Sequence, residues 1–157
     1  MEQVNYPPLK EVGFLAQIFM NKEDKQLLLT DICARLPYGV KCQFEDTIRI
    51  RDGESDPFYD KVLSPRALDL FINHTNFYIK AYLRPMSSMT EEEKKEYYTF
   101  QYKFTLQAHE YQELNNETFL EYVNWLNAHH FDFRHLIEKG LALEAPEGMY
   151  DNKEEQQ

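Results

Sequence analysis

Apolar residues first recur at helical intervals along this chain and then switch to alternation. After Pro7 and Pro8, the residues Leu9, Val12, Ala16 and Phe19 share one helical face while Lys10, Glu11 and Gln17 take others, which predicts an N-terminal helical extension over residues 1–20. Asn21 has the side chain to cap a second helix, in which Leu28, Ile32 and Leu36 repeat every four residues beside Leu29 and Cys33 until Pro37 ends it. Tyr38 and Gly39 then make a turn, since glycine takes positive φ without strain. Beyond it Val40, Cys42 and Phe44 alternate with Lys41, Gln43 and Glu45, the pattern of a strand with one buried face. Ile48 and Ile50 alternate with Thr47, Arg49 and Arg51 in the same way, so a second strand is expected after a tight hairpin at Glu45 and Asp46. Residues 52–57 read as a loop. Residues 58–63 and 68–72 are compatible with strands separated at Ser64 and Pro65, although that pair can also cap a helix. Residues 77–83 fit a strand or a helical turn.

The segment YLRPMSSMTEEEKKEY (82–97) is the joint of the chain. Pro85 stops the preceding apolar run and holds Arg84 out of helical dihedrals, while Ser88 with Glu91, or Thr90 with Glu93, supplies a capping box for a new helix. After it Tyr98, Phe100, Tyr102, Phe104 and Leu106 alternate with polar residues, which predicts a strand; Tyr97, Phe100 and Phe104 would equally line one side of a continued helix. Asn115 and Asn116 open the clearest helix, with Phe119, Tyr122, Val123 and Leu126 as its expected buried face and Trp125 alongside. Leu136, Ile137 and Gly140 suggest one further helical turn with a glycine stop. The tail over 151–157 is polar and expected to fray. These elements predict an α+β fold in a single domain over 21–150. Its small twisted antiparallel sheet, either open or closed in part as an SH3-like barrel, is built on a hairpin over 40–51 and packed against helices.

Composition narrows the function more than it defines it. Eleven Tyr and eleven Phe among 157 residues exclude a disordered chain and supply area for a packed core. A formal charge of −10 argues against binding nucleic acid or anionic membranes, because both need cations to meet phosphate. Cys33 and Cys42 stand outside any CxxC spacing among apolar neighbours and are expected as reduced core thiols. The first residues lack a basic stretch followed by a small-residue cleavage site, and no apolar run approaches the length of a membrane span. A cytoplasmic protein is the expectation.

The densest chemistry is His129, His130, Asp132 and His135, residue types that bind zinc and other divalent ions. Adjacent histidines on a helix point about 100° apart, however, and cannot both ligate one ion without unwinding. A structural role at a helix C-terminus is therefore the preferred reading, and no cofactor is implied. Asp52, Glu54 and Asp56 imitate half a calcium loop, but Pro57 and Leu63 stand where Gly and Glu are needed. No phosphate-cradling glycine motif and no GxSxG elbow occurs. Arg49 and Arg51 read as a polar sheet face. With no catalytic template surviving, the leading expectation is a non-enzymatic interaction or regulatory module with an unidentified protein partner. Tyr38, Trp125, Phe131 and Phe133 are its candidate surface. The alternatives are a metal-dependent hydrolase or nuclease using the histidine cluster, and an acidic inhibitor that imitates DNA.

Four segments, LPYGVK (36–41), YLRPMSSMTEEEKKEY (82–97), WLNAHHFDFRHLI (125–137) and GLALEAPEGMY (140–150), resemble a family of small uncharacterised proteins of gut bacteria, some carried by phage or other mobile elements. The likeness runs over roughly 20–150, is poor between residues 46 and 76, and does not include His135. It implies a bacterial cytoplasmic origin and brings no activity and no residue roles.

Overall fold

The computed structural model describes residues 20–46, 58–74, 77–109 and 116–151. The expected helix over 9–19, the expected strand over 47–51 and the loop over 52–57 lie outside them.

Helix α1, Lys22–Arg35, starts where the sequence places it. Asn21 Oδ1 accepts from the Asp24 amide at 2.8 Å, and Glu23 and Asp24 meet the positive end of the helix dipole. Pro37 converts the helix end into a single 3₁₀ turn, Leu36–Tyr38, and Gly39 closes it at φ 66°. Strand β1, Lys41–Asp46, follows, with Cys42 and Phe44 buried on one face. No hairpin turn forms at Glu45 and Asp46. Glu45 is paired on both sides, with Phe58 of strand β2 (Phe58–Val62) and with Tyr78 of strand β3 (Phe77–Leu83), so the chain is still extended there.

Residues 68–72 are helical rather than extended, within α2, Pro65–Asn73. Ser64 Oγ accepts from the Ala67 amide at 3.2 Å and Pro65 presets the first turn. Ala67, Leu68 and Phe71 are then buried together against the sheet. The cap outweighs residue types that suit a strand.

The joint carries the expected capping box, in its Thr90–Glu93 version. The Glu93 amide donates to Thr90 Oγ1 at 3.2 Å and the Thr90 amide to Glu93 Oε2 at 2.7 Å. Helix α3, Glu91–His109, runs from this cap through the segment expected as a strand. The period-two pattern has a helical explanation. Residues two apart on a helix lie about 200° apart, so alternating aromatics make a helix that is apolar on two opposite faces. The Tyr97, Phe100 and Phe104 face packs on helix α4, Asn116–Ala128, with Phe100 and Phe104 both 5.4 Å from Tyr122 between ring centroids. Within α4, Leu126 is buried as expected, whereas Phe119 is 55% exposed. Residues 135–140 form hydrogen-bonded turns instead of another helix, closed by Gly140 at φ 72° with the Leu141 amide on Leu136 O.

Strand β4, Ala142–Glu144, completes a four-stranded sheet of order β2-β1-β3-β4, antiparallel except for the β3–β4 pair. The fold is thus α+β, a mostly antiparallel sheet packed against helices. Of the two forms expected for the sheet, the described strands take the open one, with β2 and β4 at the edges. One cluster of buried residues joins the sheet to α1 and α2, around Leu28, Ile32, Phe44, Phe71 and Ile79. A smaller one gathers Met89, Leu126 and Phe131 with Tyr97, Tyr122 and Trp125.

Candidate functional site

The histidine segment is the C-terminal stop of α4. The His130 amide donates to Asn127 O at 3.1 Å and the Phe131 amide to Leu126 O at 3.0 Å, the paired bonds of a Schellman motif. His130 occupies its left-handed position at φ 58°, a place usually taken by glycine. Its ring lies 3.9 Å from that of Tyr150 between centroids, and its Nδ1 is buried without a protein hydrogen-bond partner. Burial, then the positive charge of Arg35, pushes its pKa down to about 4.

Its sequence neighbours point elsewhere. The His129 ring Nδ1 sits 2.9 Å from Trp125 O. Asp132 accepts the Leu136 and Ile137 amides at 2.8 and 2.9 Å, one on each carboxylate oxygen, and so caps the turns that follow. His135 is exposed beside Glu138. Among the described residues, no group of three or more His, Cys, Asp or Glu is placed to hold a metal ion.

Beneath this stop lies an ionic cluster that the sequence reading missed. Asp31 and Arg35, both fully buried, form a bidentate pair at 2.7 and 2.9 Å, and Arg134 adds a bond to Asp31 Oδ1 at 2.8 Å. Arg35 also donates to Phe131 O at 2.8 Å, which ties α1 to the end of α4. The signal was present: Asp31 and Arg35 are four apart and share the stripe of Leu28 and Ile32, where solvent is excluded.

A cleft of about 480 Å³ opens between the joint and residues 144–151. Arg84 on its wall is held by both oxygens of Glu93 at 2.7 and 2.8 Å, and the Glu93 carboxyl is lowered accordingly. Ser88 Oγ donates to Pro85 O at 2.7 Å, so its proton is engaged by a backbone carbonyl. Glu144, Glu147 and Asp151 make the remainder acidic.

The four aromatic candidates do not form one surface. Phe131 is fully buried, with the Arg84 guanidinium 4.5 Å from its ring centroid, and cannot be a surface anchor. Trp125 is half-buried and donates to Glu96 at 2.6 Å; Phe133 is half-buried between Arg35 and Arg134. Tyr38 is 37% exposed. Among the described residues, exposed large apolar side chains occur at Val62, Ile72, Phe119 and Leu120, and three more share the outer side of α3. Tyr98 and Tyr102 are 65% and 64% exposed and Leu106 is 41% exposed. On the helix these three fall within about 40° of Tyr102, while Phe100 and Phe104 lie about 160° away. Reading the segment as a strand hid this face, because alternation assigned all five residues to one side.

No family model matches the chain, and neither a curated protein nor a solved structure matches it.

Proposed function

We propose that this protein is a non-enzymatic interaction module that docks a protein surface through the outer face of α3. The observation that supports it is the two-faced helix: one apolar face is used within the fold, and the opposite one, Tyr98, Tyr102 and Leu106, is uncovered among the described residues. Exposed tyrosines of this kind give large contact area with little side-chain entropy to lose. The metal reading draws no support from a segment whose Asp132 is spent on backbone amides. A bacterial cytoplasmic setting belongs to the same proposal. Two free thiols, Cys42 in the core and Cys33 exposed rather than buried, suit a reducing compartment. Among the described residues no helix is long and apolar enough to cross a membrane.

A photoreactive phenylalanine at position 102, in cells expressing the chain, tests this. One discrete protein adduct is expected there and none with the same group at the exposed position 121 of α4. Absence of any adduct at 102 would remove the proposal.

A further inference from the structure

We infer that the partner on this face is a second copy of the chain, joined through an antiparallel pairing of two α3 helices. The inference rests on the docking reading above and adds the identity of the occupant.

The seam has the spacing such a pairing needs. Glu91, Lys95, Tyr98, Tyr102 and then Thr105 with Leu106 follow one another at intervals of four, three, four and three residues, the repeat that keeps one stripe facing a neighbouring helix. A two-fold axis near residue 100 sets Tyr98 of each copy against Tyr102 of the other. It lays the aliphatic stem of Lys94 or Lys95 along Leu106 of the second copy.

Charge fits this register. Glu92, Glu96 and Lys103 lie on the same flank of the stripe, about 80°, 120° and 100° from Tyr102. In an antiparallel pair, equivalent flanks meet. With Tyr98 opposite Tyr102, Glu96 of one copy falls within one residue of Lys103 of the other, twice by symmetry. Both groups are exposed, and the Trp125 indole uses only Oε2 of Glu96. Lys103 Nζ rests 5.6 Å from the centroid of its own Phe100 ring, at the border of the stripe. The face is self-complementary, as an isologous interface must be.

A seam of about four turns is small for a stable dimer, and −10 of charge on each chain opposes it. The expected dissociation constant is about 10 µM at moderate salt.

Sedimentation velocity of the full chain, from low to several-hundred micromolar, reads this directly. The wild type is expected to pass from monomer to dimer. Lys103→Glu and Glu96→Lys, each alone, are expected to weaken association at least ~10-fold, because each sets like charges across the axis twice. An equimolar mixture of the two single variants is expected to return to within about threefold of wild type, because both cross-axis pairs are again opposite in sign. Circular dichroism checks that Glu96→Lys folds without its indole contact. The double variant Tyr98→Ser with Tyr102→Ser, confined to the exposed face, is expected to stay monomeric whatever that check shows. A wild type monomeric throughout, or single charge reversals that associate as tightly as wild type, would overturn the inference. A monomeric chain that still yields an adduct with a different protein at position 102 would overturn it while leaving the docking reading intact.

Discussion

At the scale of single residues, two buried ionisable groups pull the acid stability of the fold in opposite directions. His130 has its pKa lowered from 6.5 to about 4, so the unfolded chain takes up its proton first as pH falls. Its contribution is intact above pH 6.5 and is lost on the way down to about 4, at a cost of no more than about 3 kcal/mol. Glu45 is the reverse case. Desolvation, opposed by Lys80, raises its carboxyl from 4.5 to about 6, so the folded state binds the proton more tightly. Stability from Glu45 is complete below pH 4.5 and is lost as pH rises through 6. Between 4.5 and 6 the two slopes offset each other. Glu45→Gln is therefore expected to unmask a stability that climbs with pH across this window, read as urea midpoints at half-unit steps. His130→Asn, which tolerates the left-handed backbone and cannot titrate there, is expected to unmask the opposite slope. A shared, unchanged profile in both variants would refute the assignment. The left-handed conformation of His130 was not legible in the sequence, because the residue stands where a helix stop of this type ordinarily shows glycine.

At the scale of elements, what could be read depended on whether a local signal had only one structural meaning. The Asn21 cap and the Thr90–Glu93 box satisfy amides that a helix start leaves open, Pro37 has no amide with which to continue a helix, and each reappears in the structure. Alternation over 98–106 has two meanings, and the cap eight residues earlier decides between them by starting a helix that nothing interrupts. Thr90→Ala should then cost about 1 kcal/mol in chemical denaturation, the usual value of an N-cap hydroxyl. The two faces of α3 should also separate cleanly. Phe100→Ala removes rings packed on Tyr122 and Trp125 and is expected to cost about 1–3 kcal/mol, less than a fully buried phenylalanine because the site is half-open. Tyr102→Ala, measured at low micromolar concentration where the chain is monomeric, is expected to stay within about 0.5 kcal/mol. Equal losses at the two positions would mean that α3 has no free face, and the docking reading would go with it.

At the scale of the molecule, two clusters of buried residues are joined by a charge cluster. The sheet and its α1–α2 cover were legible as periodicity, but the tie between them and the α4 stop was not, because it joins residues about a hundred positions apart. That tie is Arg35, paired to Asp31 within α1 and donating to Phe131 O at the centre of the second cluster. Arg134 brings the turn after α4 to the same carboxylate. Buried charges of this kind are strongly coupled: removing one leaves the others without compensation, whereas removing the pair relieves both desolvation costs. Asp31→Asn is expected to lose about 3–5 kcal/mol, and Asp31→Leu with Arg35→Met clearly less than Asp31→Asn alone. The sole tryptophan, Trp125, packs in the second cluster and reports it separately from the far-ultraviolet signal that includes the sheet. In the wild type the two signals should change at one denaturant concentration. In Asp31→Asn the fluorescence transition should come first, since the α4 stop loses its anchor to α1 while the sheet keeps its own apolar contacts. Coincident transitions in that variant, or a double substitution worse than the single one, would show that the clusters are joined by apolar packing and not by this charge cluster.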